Sequence, residues 1–249
     1  MEQIKWDLHT HTIYSHNHHG KGTIEENVQA AIAAGLSKIG ISDHGPGHVG
    51  YGILRKKIPQ MRKEIDELKP KYPQIEILMG VEANVINRSG KLDLREEEWP
   101  YFDYVIAGYH YGAFDEEPAR DLVLHSKNWV LNKFGTTTRA LKRFNTDLMV
   151  RAVYENDLYA LTHPGDKQKI YIEEVAKACE DRKVLMEINN SHPFLTTETI
   201  AICAEYDVGF IIGSDAHSPY RVGHCENAVA RIKEAGLDPS RVVNLKTED

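Results

Sequence analysis

Histidines and carboxylates of this chain recur at the ends of short apolar segments. The series runs Asp7-Leu8-His9-Thr10-His11, Ser42-Asp43-His44, Gly80-Val81-Glu82, Gly108-Tyr109-His110, Thr162-His163-Pro164 and Gly213-Ser214-Asp215-Ala216-His217. Imidazole nitrogens and carboxylate oxygens bind divalent transition ions. Strands that each end in such a donor, repeated around a barrel, aim them at one point. His9 and His11 are two residues apart, so on a strand they share a face and can grip one ion. Asp215 and His217 repeat that spacing after the last apolar run, and should meet the first pair when the barrel closes. Glu82 closes the run Glu76–Val81. A carboxylate there is costly to bury unless paired or metal-bound, and bridging two cations would satisfy both of its oxygens. His19 is the candidate from His16-Asn17-His18-His19 because it directly precedes the turn Gly20-Lys21-Gly22-Thr23; His16 and His18 are the alternatives. His48, His125, His192 and His224 are less pointedly placed. Structural or solvent roles are expected for them, with His192 at a rim and His224 near the site.

These donors need a scaffold. Strand-like runs are Ile4–His9, Lys38–Asp43, Glu76–Ala83, Tyr104–His110, Tyr159–His163, Val184–Asn189 and Gly209–Ser214. Most are short, apolar and without strict alternation, as suits strands covered on both faces. Helix-like stretches separate them: Thr23–Ala34, Ile58–Leu68, about 137–156, Ile172–Asp181, Thr196–Tyr206 and Asn227–Ala235. Thr23 and Glu26 have capping-box spacing, and Gly35 supplies the stop. The β-α rhythm predicts an α/β fold with parallel strands joined by right-handed crossovers, in one domain spanning residues 1–249. The stretch from about Tyr111 to Thr136, with Asp115-Glu116-Glu117-Pro118 and Trp129, is expected to be a long loop over the active face.

Composition bounds the chemistry. The chain has 249 residues, 41% hydrophobic and 27% charged, with net charge −7. That is a soluble globular composition, and the acidic balance disfavours long nucleic acid, which calls for a basic path. Cys179, Cys203 and Cys225 show no CxxC spacing. They are expected to be reduced thiols, the first two in the core. No apolar run approaches the ~18–20 residues of a membrane span, and no secretory pattern opens the chain, so no membrane is expected and a cytoplasmic location is.

The set DLHTHT, ISDHG, GVEAN, AGYH, THPG, EINNS and GSDAH, in this order from Asp7 to His217, resembles the PHP (polymerase and histidinol phosphatase) family of metal-dependent phosphoesterases. The likeness is to its stand-alone bacterial phosphatase-like members. It implies a distorted (β/α)7 barrel with the metal site at the C-terminal ends of the strands, holding three divalent ions: zinc, manganese or iron. Carried over by position, the first ion would take His9, His11, Glu82 and Asp215. The second would take Glu82, His110 and His163, and the third His19, His44 and His217. The first loop is longer than the family's common pattern.

The function expected is hydrolysis of phosphate monoesters on small phosphorylated metabolites: histidinol phosphate, a sugar phosphate or a nucleotide. Glu82, Asp215 and Arg221 are candidates for direct roles. Arg221, Lys21 and Arg139 are candidates for binding the phosphate, Arg221 through its forked guanidinium. Asp215 or a nearby histidine could manage the leaving-group proton. Three other readings stand beside this one: an amidohydrolase-like metal hydrolase, a nuclease or nucleotide phosphatase of the same fold, and a non-catalytic metal-binding regulator. Oligomeric state has no signature in this sequence.

Overall fold

All seven apolar runs become parallel strands in the computed structural model, which describes residues 3–86, 89–114 and 118–246. They are β1 (Trp6–Asp7), β2 (Lys38–Ile41), β3 (Glu76–Asn84), β4 (Tyr104–Gly108), β5 (Ala160–Leu161), β6 (Leu185–Asn189) and β7 (Phe210–Gly213). Each pairs with the next in chain order. Beyond the regular ladders, Thr10 bridges to Ala216, with His11 N–H donating to Ala216 O at 2.8 Å. The ring is therefore a nearly closed (β/α)7 barrel. Its distortion lies in β1 and β5, which hold only two residues each.

Helices α1 (Ile24–Ala33), α2 (Ile58–Leu68), α3 (Pro118–Lys133), α4 (Arg139–Glu155), α5 (Ile172–Arg182), α6 (Thr197–Cys203) and α7 (Glu226–Glu234) lie between and after the strands. Thr23 caps α1 in the predicted box: its hydroxyl accepts from Glu26 N–H while Glu26 accepts from Thr23 N–H at 2.8 Å. No helix among the described residues is long and apolar enough to cross a membrane. All three cysteines are buried and free of disulfides.

One expectation is corrected. The stretch expected as a long loop contains α3, 16 residues long; the residues Asp115, Glu116 and Glu117 lie outside the described ones. This helix is turned the unusual way. It buries Asp121, His125 and Asn128 and exposes Leu122, Val123, Trp129 and Val130. Its polar face is satisfied by hydrogen bonds: His125 Nδ1 accepts from Gly112 N–H at 3.1 Å, and Asn128 Nδ2 donates to Tyr109 Oη at 3.2 Å. An apolar-in pattern search does not find such a helix.

The strands feed two apolar regions. Outward residues such as Ile77, Met79, Val81, Val105 and Ile212 join the main core beneath the helices. A second cluster of Leu8, Tyr104, Ile106, Ala160 and Ile211, with Leu78 and Leu185 against it, fills the barrel interior. Side chains alternate across a strand, so two steps of that period above Leu78 comes Glu82, and one step above Leu185 and Ala160 come Glu187 and Thr162. The inward face of the barrel thus changes from apolar floor to polar site within a few residues.

Candidate metal centre

Glu82, on β3 and fully buried, is the hub. Its Oε1 lies 2.8 Å from His163 Nε2 and 3.3 Å from His110 Nε2. Its Oε2 lies 2.8 Å from His44 Nδ1, 3.4 Å from His9 Nε2 and 3.7 Å from His11 Nε2. Asp215 Oδ1 is 3.2 Å from His11 Nε2, 3.4 Å from His217 Nδ1 and 3.6 Å from His9 Nε2. His19 reaches the same place from its loop, with Nε2 3.0 Å from His217 Nε2. All nine sequence-derived candidates therefore converge. Three groups have donor atoms mutually within 4.8 Å: His9, His11 and Asp215; His44, Glu82 and His110; His11, His44 and His217. They share His11 and His44 rather than dividing the donors cleanly.

The loop that carries His19 is built by Asp43. One carboxylate accepts from Thr12 N–H (2.7 Å), Thr12 Oγ1 (2.6 Å), Ser15 N–H (2.9 Å) and Ser15 Oγ (2.6 Å). Asn17 and His18 then take left-handed backbone angles, φ 57° and 59°, and the chain turns back toward the barrel. His18 is left exposed, His16 hydrogen-bonds Gly52 O, and His19 lines the cavity. Gly20 is needed there, because a Cβ would stand 2.0 Å from Thr12 O.

Groups that cannot be read from strand ends hold the imidazoles in place. Glu187 Oε1 lies 2.6 Å from His9 Nδ1, and its Oε2 accepts from His163 N–H at 2.9 Å and Asn189 Nδ2 at 2.9 Å. Asn84 Oδ1 sits 2.8 Å from His110 Nδ1, and Asn84 is itself fixed by the buried Asp93. Such partners fix the ring so that its other nitrogen faces the metal position. Glu187 has a sequence signal, a carboxylate inside the apolar run Val184–Ile188, the same cost argument that singled out Glu82. Gly213 lets it in: a Cβ there would meet Glu187 Oε1 at 1.9 Å and His9 Cβ at 2.9 Å. Glu187→Gln should weaken metal affinity about 10–100-fold while the fold persists; a competitive chelator titration showing wild-type affinity would refute this role.

The unmet bonds of the donor set fit a cation. His9 Nε2 and His44 Nε2 are buried and make no hydrogen bond among the described residues. Each such atom costs about 1–3 kcal/mol when unsatisfied. Divalent ions held among the clustered donors would satisfy both.

Protonation points the same way. Burial, joined by neighbouring imidazoles, lowers His19 to about 3 and His217 to about 4; burial likewise lowers His110 to about 4 and His44 well below the usual imidazole range. These rings are neutral near pH 7, the form that ligates. Burial also acts to lower His9, but Glu187, Glu82 and Asp215 outweigh it and hold that ring raised. At His163 burial is likewise outweighed, by Glu82 first, and the ring is raised. For a lowered histidine the unfolded chain binds more protons between the two pKa values, so stability falls as pH drops from about 6.5 toward 4. His9 and His163, being raised, act oppositely but mainly as pH rises above about 6.5, outside that window. The metal-free protein should therefore lose denaturant midpoint across that window; a flat or rising midpoint would count against these assignments.

A cavity of about 390 Å³ opens over the cluster, lined by Lys21, Tyr51, Lys167 and His192 besides the candidate ligands. Of the three basic residues picked from sequence, Lys21 lines it, while Arg139 and Arg221 do not. Arg139 is the exposed first residue of α4, and Arg221 belongs to the turn Pro219–Arg221, which packs against α1. Lys167 carries no motif that the sequence reveals, while His192 stands in the lining, at the rim position expected of it.

The family model described as PHP domain matches residues 7–191. A protein named "probable phosphatase" from Caldanaerobacter subterraneus subsp. tengcongensis is 31% identical over 257 residues, covering 97% of this chain and 87% of its own length. One of the same name from Escherichia coli O1:K1 / APEC is 26% identical over 253 residues, covering 96% and 89%. Among solved structures, a histidinol phosphate phosphatase from Lactococcus lactis subsp. lactis, complexed with zinc, L-histidinol and phosphate, superposes with a TM-score of 0.55. It is 19% identical, covering 94% of this chain and 95% of its own, a likeness of fold.

Proposed function

The chain belongs to the PHP domain family, and from that premise we propose that it is a metal-dependent phosphatase acting on phosphate monoesters of small metabolites. The observation that carries this is the buried Glu82 carboxylate with imidazole nitrogens of His9, His44, His110 and His163 within 3.4 Å of its oxygens. The relatives' names support the reading.

His9, His11, Glu82 and Asp215 would hold one ion, Glu82, His110 and His163 a second, and His19, His44 and His217 a third. Imidazole with carboxylate suits zinc, manganese or iron. When bound, such ions lower the pKa of water toward ~7 and neutralise phosphate charge. The protein's own part is to fix the geometry. Glu187 and Asn84 lock His9 and His110. Asp43 sets the loop of His19. Asp7 ties the first and last strand ends, accepting from Ser214 N–H at 3.3 Å and Gly223 N–H at 2.9 Å. His192 offers a donor to the phosphoryl oxygens or the leaving group, and Lys21 and Lys167 make the mouth attractive to an anionic substrate.

The test is elemental analysis of purified protein paired with a panel of phosphate monoesters, cyclic amides and short oligonucleotides. Stoichiometric bound transition metal and turnover of monoesters are expected. Hydrolysis confined to the amides or oligonucleotides, or no bound metal, would replace the proposal.

A further inference from the structure

The cavity mouth is more positive than phosphoester binding at the metal cradle requires. Lys21 follows the His19 loop, its N–H donating to His217 O at 3.0 Å, on the side where the first and last strands meet. Lys167 lies on the loop after β5, four residues beyond His163. With the strands ordered β1 to β7 around the ring, β5 is on the far side from that seam. One lysine thus stands at each side of the opening.

Lys167 is not a loose surface lysine. Its backbone is left-handed, φ 58°, a conformation that strains a non-glycine residue. Tyr111 Oη donates to its carbonyl at 2.5 Å and pins it there. Its ammonium is 3.4 Å from Asp166 Oδ2, but that buried oxygen also lies 3.2 Å from His192 Nδ1 and 3.9 Å from His163 Nδ1. One negative charge is divided among three groups. Asp166 is thus already committed to its three neighbours. Tyr51, also in the lining, brings a phenol and no charge-bearing acid. Among the described residues the carboxylate in the lining is Asp215, and it faces His11, His217 and His9. No described carboxylate at the mouth is left over to receive an ammonium group.

Building on the phosphatase reading, we infer that the substrate carries a second anionic group, a carboxylate or another phosphate, held at the rim by Lys167 with Lys21 across the mouth. An aminoalkyl phosphate is the disfavoured class, because its ammonium would meet two lysines and, among the described residues, no unpaired acid.

The experiment uses the metal-loaded full chain and phosphate monoesters on matched two- and five-carbon skeletons ending in carboxylate, phosphate, hydroxyl or ammonium. On at least one skeleton, kcat/KM for the better anion-terminated ester should exceed that for the ammonium-terminated ester by at least about tenfold, with the hydroxyl ester between. The ratio should shrink as ionic strength rises, since exposed charges are screened. Lys167→Ala should bring the anion-to-ammonium ratio closer to one, and Lys167→Glu should invert it. Circular dichroism and metal content of both variants report whether the site survives. The carboxylate and phosphate arms distinguish the two sources of the anion. Hydrolysis with no charge ranking, or a ranking that both variants keep, overturns this inference and leaves the phosphatase reading standing. Failure of every ester to hydrolyse overturns both.

Discussion

Replacing Glu82 by alanine should cost at least about three orders of magnitude in kcat/KM, equivalent to about 4 kcal/mol of barrier, and should lower the metal content of purified protein. Both carboxylate oxygens are within 3.4 Å of imidazole nitrogens from four different strand ends. Its two oxygens thereby join the His110 and His163 side of the site to the His9 and His44 side. Its pKa states the same coupling: burial alone would raise it, but His110, His9 and His44 hold it well below the usual carboxylate range. Glu82→Gln keeps the shape and removes the charge, so it separates packing from ligation. It should resemble the alanine variant in metal content while retaining a folded circular dichroism spectrum. A glutamine variant with wild-type metal and turnover would remove the central support of the proposed function.

The second large effect concerns stability. Stripping the ions with a chelator should lower the melting temperature by about 10 °C. An ion at a thousand times its Kd stabilises the folded state by about 4 kcal/mol, and 1 kcal/mol shifts a chain of this size by about 2–4 °C. The structural cause is local. Without a cation, His9 Nε2 and His44 Nε2 stay buried without a hydrogen-bond partner among the described residues. Readdition of zinc or manganese should restore the transition, read by differential scanning calorimetry. A melting temperature indifferent to chelator, in protein shown by elemental analysis to have lost its metal, would mean that the cluster is satisfied by the protein alone.

Much of this protein is legible in its residues. Short apolar runs punctuated by helices admit few arrangements other than parallel strands, and a histidine or acid at the ends of six of the seven runs has somewhere to point only if the strands form a ring. Glu82 could be picked out because a charge inside an apolar run must be matched by something. The same logic applies to Glu187, whose partner His9 is 178 positions away. That distance is why the residue was passed over: its role depends on β6 lying next to β7, and on Gly213 having no side chain to block it.

What only the tertiary structure decided is orientation. Local pattern could not choose among His16, His18 and His19, because the choice rests on two left-handed residues and on Asp43 bonding across 28 to 31 positions of sequence. Nor could it find α3, whose polar residues are buried and whose apolar ones face outward, since the hydrophobic period identifies a helix only when its greasy side is the inner one. Arg221 and Lys167 show the limit best. A guanidinium four residues beyond a ligand is near in sequence, but a turn packed on α1 keeps it out of the cavity lining, while a lysine with no motif of its own is carried to the rim by the loop after β5. Residue type and spacing determine which chemistry a chain can perform; the path of the backbone determines which charges surround it.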